Sequence, residues 1–215
     1  MSKPTDPLNI REHKNDKQYM LMNYGKLSII TGPMWSGKTT ELLRQFDRKE
    51  HAQLKCLLVK HGMDTRYDPG KGQVATHQST YGTCTKGQAV VYNSMADLIT
   101  GEGLLGPARW DTVFIDEIQF FPDKKLCLEL LNAGINVVVA GLNGDYKQEM
   151  FADMDVLFAH AESIMMLTAV CGNCRSDDAP FSCKLQLGVG AGVLDVGGAE
   201  KYIPLCLKCM KELKK

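Results

Sequence analysis

Between residues 26 and 170, short apolar runs alternate with amphipathic stretches. Residues 26–31 (KLSIIT), 55–60 (KCLLVK), 111–116 (DTVFID), 136–140 (NVVVA) and 163–170 read as five strands. The apolar centre of the second suits burial on both faces, as in a parallel sheet. Residues 39–50 follow the helical period, with Leu42, Leu43 and Phe46 on one face. Residues 124–133, closed by Gly134, and 151–161 read as further helices, and a short one opens at 95–100. Residues 61–95 carry Gly62, Pro69, Gly70, Gly72, Gly82 and Gly87 and read as loop, with only weak strand signals over 73–92. Strands alternating with helices predict an α/β fold, a parallel sheet with crossover helices. From Cys171 the pattern gives way to Gly, Cys and short polar stretches, so the expected division is a polar tail over 1–24, a core over 25–170 and a second domain over 171–215.

Composition narrows the class. The 215 residues are 44% hydrophobic and 23% charged, which is globular rather than disordered. Lys+Arg and Asp+Glu are both 25, so net charge gives no reason to expect nucleic acid or an anionic membrane as partner. No apolar run approaches the roughly 18 residues of a membrane span. The first 24 residues are polar and lack the apolar centre of a signal peptide, and a cytoplasmic location is the default expectation.

The first strand runs directly into Gly32-Pro33-Met34-Trp35-Ser36-Gly37-Lys38-Thr39, which matches G-x-x-x-x-G-K-[ST] with a strand before it and a helix after it. In such a loop, glycines let backbone N–H groups turn toward phosphate oxygens. Lys38 supplies a positive charge for the β/γ phosphates, Thr39 offers a hydroxyl to Mg²⁺, and the helix N-terminus adds partial positive charge. The apolar run ending in Asp116 places a carboxylate at the carboxyl edge of the sheet, where it can hold the same Mg²⁺. Glu117, beside it, can take a proton from an attacking oxygen. Spacing leaves open whether that oxygen is water, giving an ATPase, or a substrate hydroxyl, giving a kinase.

Eight cysteines fall into two groups. Cys56, Cys84, Cys127 and Cys183 are single, and Cys56 and Cys127 sit in apolar stretches that suit buried reduced thiols. Cys171, Cys174, Cys206 and Cys209 form two C-x2-C pairs, a tetrahedral zinc pattern, with a redox pair as the competing reading. Four thiolates fill the coordination sphere, so the zinc is expected to be structural. The 31 residues between the pairs are glycine-rich and suggest a strap that covers a substrate.

Taken together, residues 32–42, Asp64-Thr65-Arg66-Tyr67, residues 116–121, 141–146, 167–171 and 197–202 resemble the cytosolic (type II) thymidine kinases, in unbroken order over about residues 25–210. The resemblance implies a P-loop, RecA-like sheet with a small C-terminal zinc-binding lasso domain. It also implies ATP- and Mg²⁺-dependent phosphorylation of the 5′-hydroxyl of thymidine or deoxyuridine. By position, Glu117 is implied as the general base, Lys38 and Arg66 as stabilisers of the transferring phosphoryl group, and Thr39 and Asp116 as Mg²⁺ residues. Asp64, Thr65 and Gln119 join the phosphate loop as nucleotide-site residues. Phe120, Tyr146 and Phe151 match walls of the thymine and sugar site. Met34, Leu142, Ser182 and Tyr202 match the surroundings of the 5-methyl group. Val193, Leu194, Asp195, Val196 and Gly197 match the lasso. The implied assembly is a homotetramer inhibited by thymidine triphosphate.

The chain departs from the family pattern at Trp35, Ser182, Cys183-Lys184 and Asp195. Two rival readings are a nucleoside monophosphate kinase, whose zinc lid would lie mid-chain, and a zinc-containing P-loop ATPase acting on nucleic acid, against which net charge zero counts. The absence of N-K-x-D disfavours a GTPase.

Overall fold

A computed structural model of the chain describes residues 24–64, 73–74, 87–106, 110–185 and 201–213. Its centre is a six-stranded sheet. β1 (Leu27–Gly32) leads through the phosphate loop to helix α1 (Lys38–His51), and the chain then enters β2 (Cys56–His61). A two-stranded antiparallel pair, β3 (Gln73–Val74) and β4 (Gly87–Gln88), precedes β5 (Val90–Tyr92) and helix α2 (Met95–Gly101). Then come β6 (Thr112–Ile115), α3 (Cys127–Asn132), β7 (Asn136–Leu142), α4 (Met154–His160) and β8 (Ser163–Met166). The strand order is β5-β2-β6-β7-β1-β8, and every pairing is parallel.

Alternation along the strands builds two cores. On one face Ile30, Leu58, Phe114, Val138 and Ala140 pack against Leu42, Leu43 and Phe46 of α1. On the other, Ile29, Val59, Val113, Ile115, Val137 and Val139 meet Met95 and Leu98 of α2, Leu130 of α3 and Leu157 of α4. Both faces are therefore apolar, which is why the central strands read as continuous hydrophobic runs. Phe114 sits at the middle of the α1 face with no exposure, and the Phe46 ring meets it edge-on at 5.3 Å and 83°.

Three expected boundaries shift for local reasons. The strand expected over 163–170 stops at Met166. Leu167 still donates its N–H to Thr31 O at 2.8 Å, and the chain then leaves the sheet so that Ala169 bridges Ala179. The helix expected over 124–133 begins as a 3₁₀ turn, Lys124–Leu126, before α3. The carboxylate of Asp123, which precedes it, instead accepts from the N–H groups of Met95 and Ala96 in the first turn of α2. The helix expected over 151–161 starts at Met154, because Phe151 is built into the core and Asp153 takes a left-handed conformation (φ 63°) that cannot belong to a helix.

Beyond Cys171 an antiparallel pair, β9 (Phe181–Lys184) and β10 (Tyr202–Leu205), joins helix α5 (Leu207–Leu213) around a third cluster that includes Ala179, Cys183, Leu205 and Met210. No element was expected there, because its apolar positions are interleaved with glycine and cysteine. Among the described residues no helix is long and apolar enough to cross a membrane. Phe114→Ala should lower unfolding free energy by about 3–5 kcal/mol, read from urea denaturation, because it removes a fully buried ring and its edge-on partner contact. Val91→Ala, on the exposed side of β5, should change it by less than about 0.5 kcal/mol.

Candidate active site and metal centre

Parallel registration delivers the carboxyl ends of β1, β2, β6 and β7 to one edge of the sheet. That edge is where open α/β sheets bind ligands. The phosphate loop leaves β1 there. Trp35 (φ 61°) and Gly37 (φ 85°) both take left-handed backbone, and a side chain at Gly37 would meet no atom within 4 Å. The ammonium of Lys38 donates to Pro33 O at 2.7 Å and the Ser36 hydroxyl to the same carbonyl at 2.9 Å, so both side chains fold back onto their own loop. The N–H groups and the cation suit a polyphosphate.

From β6, Asp116 faces the first turn of α1. The Thr39 hydroxyl donates to its Oδ2 at 3.0 Å, and Asp116 N–H holds Val59 O at 2.9 Å. A hydroxyl and a buried carboxylate joined in this way beside a phosphate loop form a donor set suited to Mg²⁺. Glu117 follows in left-handed backbone (φ 53°, ψ 47°), uncommon for a residue with a side chain, and is buried. Its N–H donates to Asp116 Oδ1 at 3.0 Å. Its Oε2 accepts from the Nε2 of Gln119, whose Oε1 in turn accepts the Leu142 N–H at 3.2 Å. Two neighbouring carboxylates are thus held by different partners, Asp116 by the Thr39 hydroxyl and Glu117 by the Gln119 amide.

Several of the described positions expected for the acceptor lie on the elements that adjoin them. Met34 N–H donates to the Ser182 hydroxyl at 2.9 Å, a contact that joins the phosphate loop to β9. Asn143 reinforces that junction: its N–H donates to Gly32 O at 3.3 Å and its side-chain amide to Pro180 O at 3.0 Å. Asp145 Oδ1 accepts from the N–H groups of Lys147 and Glu149, closing the turn that displays Tyr146. Phe151, by contrast, belongs to the core on the α4 side of the sheet. Phe120 is half-buried and tilted against the His61 ring at 5.9 Å, with Phe121 edge-on to the same ring at 4.8 Å. His61 Nδ1 accepts the Met63 N–H, so its Nε2 carries the proton and donates to Asn93 O at 3.0 Å. Burial pushes its pKa below the ordinary histidine value. Asp64, at the end of that turn, is buried, and its N–H returns to His61 O at 3.0 Å.

Sequence reasoning named none of His61, Asn143, Asp145 and Lys184 as a site residue; Asn143 and Asp145 entered only within the 141–146 motif and Lys184 only as a departure from the family pattern. The Lys184 ammonium lies over two aromatic rings, 5.3 Å from the centre of Tyr146 and 5.9 Å from that of Tyr202. Nothing in the local sequence marks this cation–π pair, since Tyr146 is far away along the chain. Thr65, Arg66, Val193, Leu194, Asp195, Val196 and Gly197 lie outside the described residues, as do residues 1–23 and Cys84.

The sulfurs of Cys171, Cys174, Cys206 and Cys209 all lie within 4.8 Å of one another, and those of Cys174 and Cys206 are 3.7 Å apart. Four sulfurs about 2.3 Å from a central metal would have edges of about 3.8 Å, so this arrangement fits a tetrahedral ion. Burial opposes ionisation of Cys171, but the N–H groups of Cys206, Cys174 and Asn173 converge on its sulfur and bring its pKa down to about 6. The Asn173 amide donates to Cys209 Sγ at 3.3 Å. Glycine is required at 172, where a Cβ would meet Ile203 Cγ1 at 2.4 Å. Cys127 and Cys56 are chemically quiet by contrast. Burial raises Cys127 to about 12 and Cys56 to about 11.

A family model described as thymidine kinase matches residues 25–210, from the start of β1 to just past the fourth cysteine. The thymidine kinase of Fowlpox virus (strain NVSL) is 36% identical over 190 residues, covering 87% of this chain and 98% of that protein. Cytosolic thymidine kinase of Homo sapiens is 37% identical over 186 residues, covering 86% and 73%. Thymidine kinase 1 of Dictyostelium discoideum is 36% identical over 188 residues, covering 86% and 77%. With the phosphate loop, the paired carboxylates and the four-cysteine cluster all inside the matched span, the chain belongs to the thymidine kinase family.

Proposed function

We propose that this chain transfers the γ-phosphoryl group of ATP to the 5′-hydroxyl of thymidine, with deoxyuridine as a second acceptor. The observation that carries this reading is the second carboxylate. Asp116 is engaged by Thr39, while Glu117, next in sequence, is buried and held by a side-chain amide. A metal-dependent phosphoryl transfer uses the first carboxylate for the ion and needs the second to accept the acceptor's proton. Family membership and the names of the relatives favour a thymidine acceptor.

In this mechanism the phosphate-loop N–H groups and Lys38 bind the β and γ phosphates, and Arg66 adds charge as the phosphoryl group moves. Thr39 and Asp116 hold Mg²⁺, which when bound neutralises charge between the phosphates. Glu117 accepts the 5′-hydroxyl proton. Phe120, Tyr146, Tyr202 and the Met34–Ser182 junction line the acceptor side, and residues 193–197 close over the base. Zinc on the four thiolates is structural, because no coordination position is left for substrate. The division near residue 170, the RecA-like arrangement with β7 between β1 and β6, and the cytosolic type belong to the same proposal. So do a cytoplasmic location, a homotetramer and inhibition by thymidine triphosphate.

A panel of ATP with each deoxynucleoside tests the function directly. Turnover should appear with thymidine and be nearly silent without a nucleoside, whereas ATP hydrolysis that runs alone would make the chain an ATPase. Glu117→Gln should reduce kcat about 10²–10⁴-fold while KM for ATP stays near wild type. A kcat within a few-fold of wild type would remove Glu117 from the reaction. Metal analysis should find about one zinc per chain, lost in Cys171→Ser and retained in Cys127→Ser. Native disulfides between the pairs, without metal, would overturn the zinc reading.

A further inference from the structure

The Glu117–Gln119–Leu142 chain has a direction that follows from its chemistry. A backbone N–H can only donate, so the Gln119 atom that meets Leu142 N–H is the carbonyl oxygen Oε1. Nε2 is then the atom facing Glu117, and an amide NH₂ can only donate, so Glu117 Oε2 must be the acceptor of that bond. The amide has no freedom to flip, because reversal would set donor against donor at Leu142 and acceptor against acceptor at Glu117. Gln119 is itself buried, and it sits in the short 3₁₀ turn Ile118–Phe120 that opens at the left-handed Glu117. The close approach to β7 depends on Gly141, where a Cβ would lie 2.6 Å from Ile118 Cγ2 and 3.0 Å from Gln119 Oε1.

We infer that Gln119 is a positioning residue for the base, fixing the orientation of the Glu117 carboxylate against β7 for the acceptor hydroxyl. The inference rests on the kinase reading above and gives Gln119 a different task from the nucleotide contact implied by resemblance. The step balances as follows. The acceptor O–H bond breaks and its proton goes to the Glu117 carboxylate. The acceptor oxygen bonds to the γ phosphorus, and the bond from that phosphorus to the β–γ bridging oxygen breaks, releasing ADP. A carboxylate without the amide can rotate about its last bond and loses alignment rather than affinity for either substrate.

Two variants separate the possible roles of Gln119. Gln119→Met keeps the length and loses both hydrogen bonds. Gln119→Glu keeps an acceptor for Leu142 N–H and replaces the donor to Glu117 with a second carboxyl group. Both should lower kcat about 10–100-fold with KM for ATP and for thymidine within about two-fold of wild type. In the Glu117→Gln background, Gln119→Met should cost little more, because a residue that acts through Glu117 has nothing left to orient. A raised KM for ATP with unchanged kcat would overturn the inference in favour of nucleotide contact. Full additivity of the two substitutions would overturn it as well. Wild-type kcat in Gln119→Glu would show that only the tie to Leu142 matters, again overturning it. Should Gln119→Met fail to fold by urea denaturation, the Gln119→Glu comparison still decides. If Glu117→Gln alone leaves turnover intact, it is the base assignment that fails, so the two failures are distinguishable.

Discussion

The parallel registration of β6, β7 and β1 is the constraint on which the site depends. Ile115 pairs with Val139, and Ile29 pairs with the same residue from the other side, so three strands advance in step toward one edge. The residues that follow them, Asp116 after β6, the loop after Gly32 and the turn after Leu142, therefore meet without any long side chain having to reach. Apolar packing on both faces keeps the strands from sliding, since a one-residue slip would turn every core residue to the opposite face. Chemistry at the edge is thus held in register by Val, Ile and Leu far from it.

A second dependence runs from the cysteine cluster to the phosphate loop. Cys171 and Cys206 anchor the two ends of a segment that includes β9, and β9 carries Ser182 to Met34 while Pro180 accepts from Asn143. A metal that fixes the four sulfurs would stiffen this segment and, through two hydrogen bonds, one side of the loop that binds phosphate. Structural metal in such a place does more than stabilise a small cluster. It would set the position of β9 against the loop after β1.

Features governed by short-range rules were legible in the sequence. The phosphate loop is eight contiguous residues, the carboxylate pair ends an apolar run, and each cysteine pair forms one turn. β1, β2, β6 and β7 were legible because burial on both faces leaves uninterrupted apolar runs, whereas β8 is an apolar edge strand that stays exposed along its length. Strand order was not, because β1 and β7 are joined by packing rather than by sequence proximity. Ser182–Met34 and Gln119–Leu142 were illegible as contacts for the same reason. Lys184 read as a departure from pattern, and only the fold reveals that it lies over Tyr146 and Tyr202. β9, β10 and α5 escaped because glycine and cysteine positions there answer to a metal site rather than to a helical or strand period.

Glu117 combines two costs that its surroundings must offset. Left-handed backbone at a residue with a side chain costs of order 1 kcal/mol or more, and a buried carboxylate needs hydrogen-bond partners. Two features meet these costs at once. The 3₁₀ turn that starts at Glu117 places Phe121 and Ile118 in the core, where neither has any exposure, and the Phe120 N–H returns to Glu117 O at 3.0 Å. The turn is therefore held by burial on its far side while Gln119 holds the carboxylate on its near side. Glycine at 117 would relax the backbone and remove the carboxylate. An extended conformation there would keep the carboxylate and carry Ile118 out of the core. The sequence Asp-Glu-Ile-Gln-Phe-Phe satisfies both demands by turning Ile118 and Phe121, three residues apart, to the interior and leaving the residues between and before them on the side of the site.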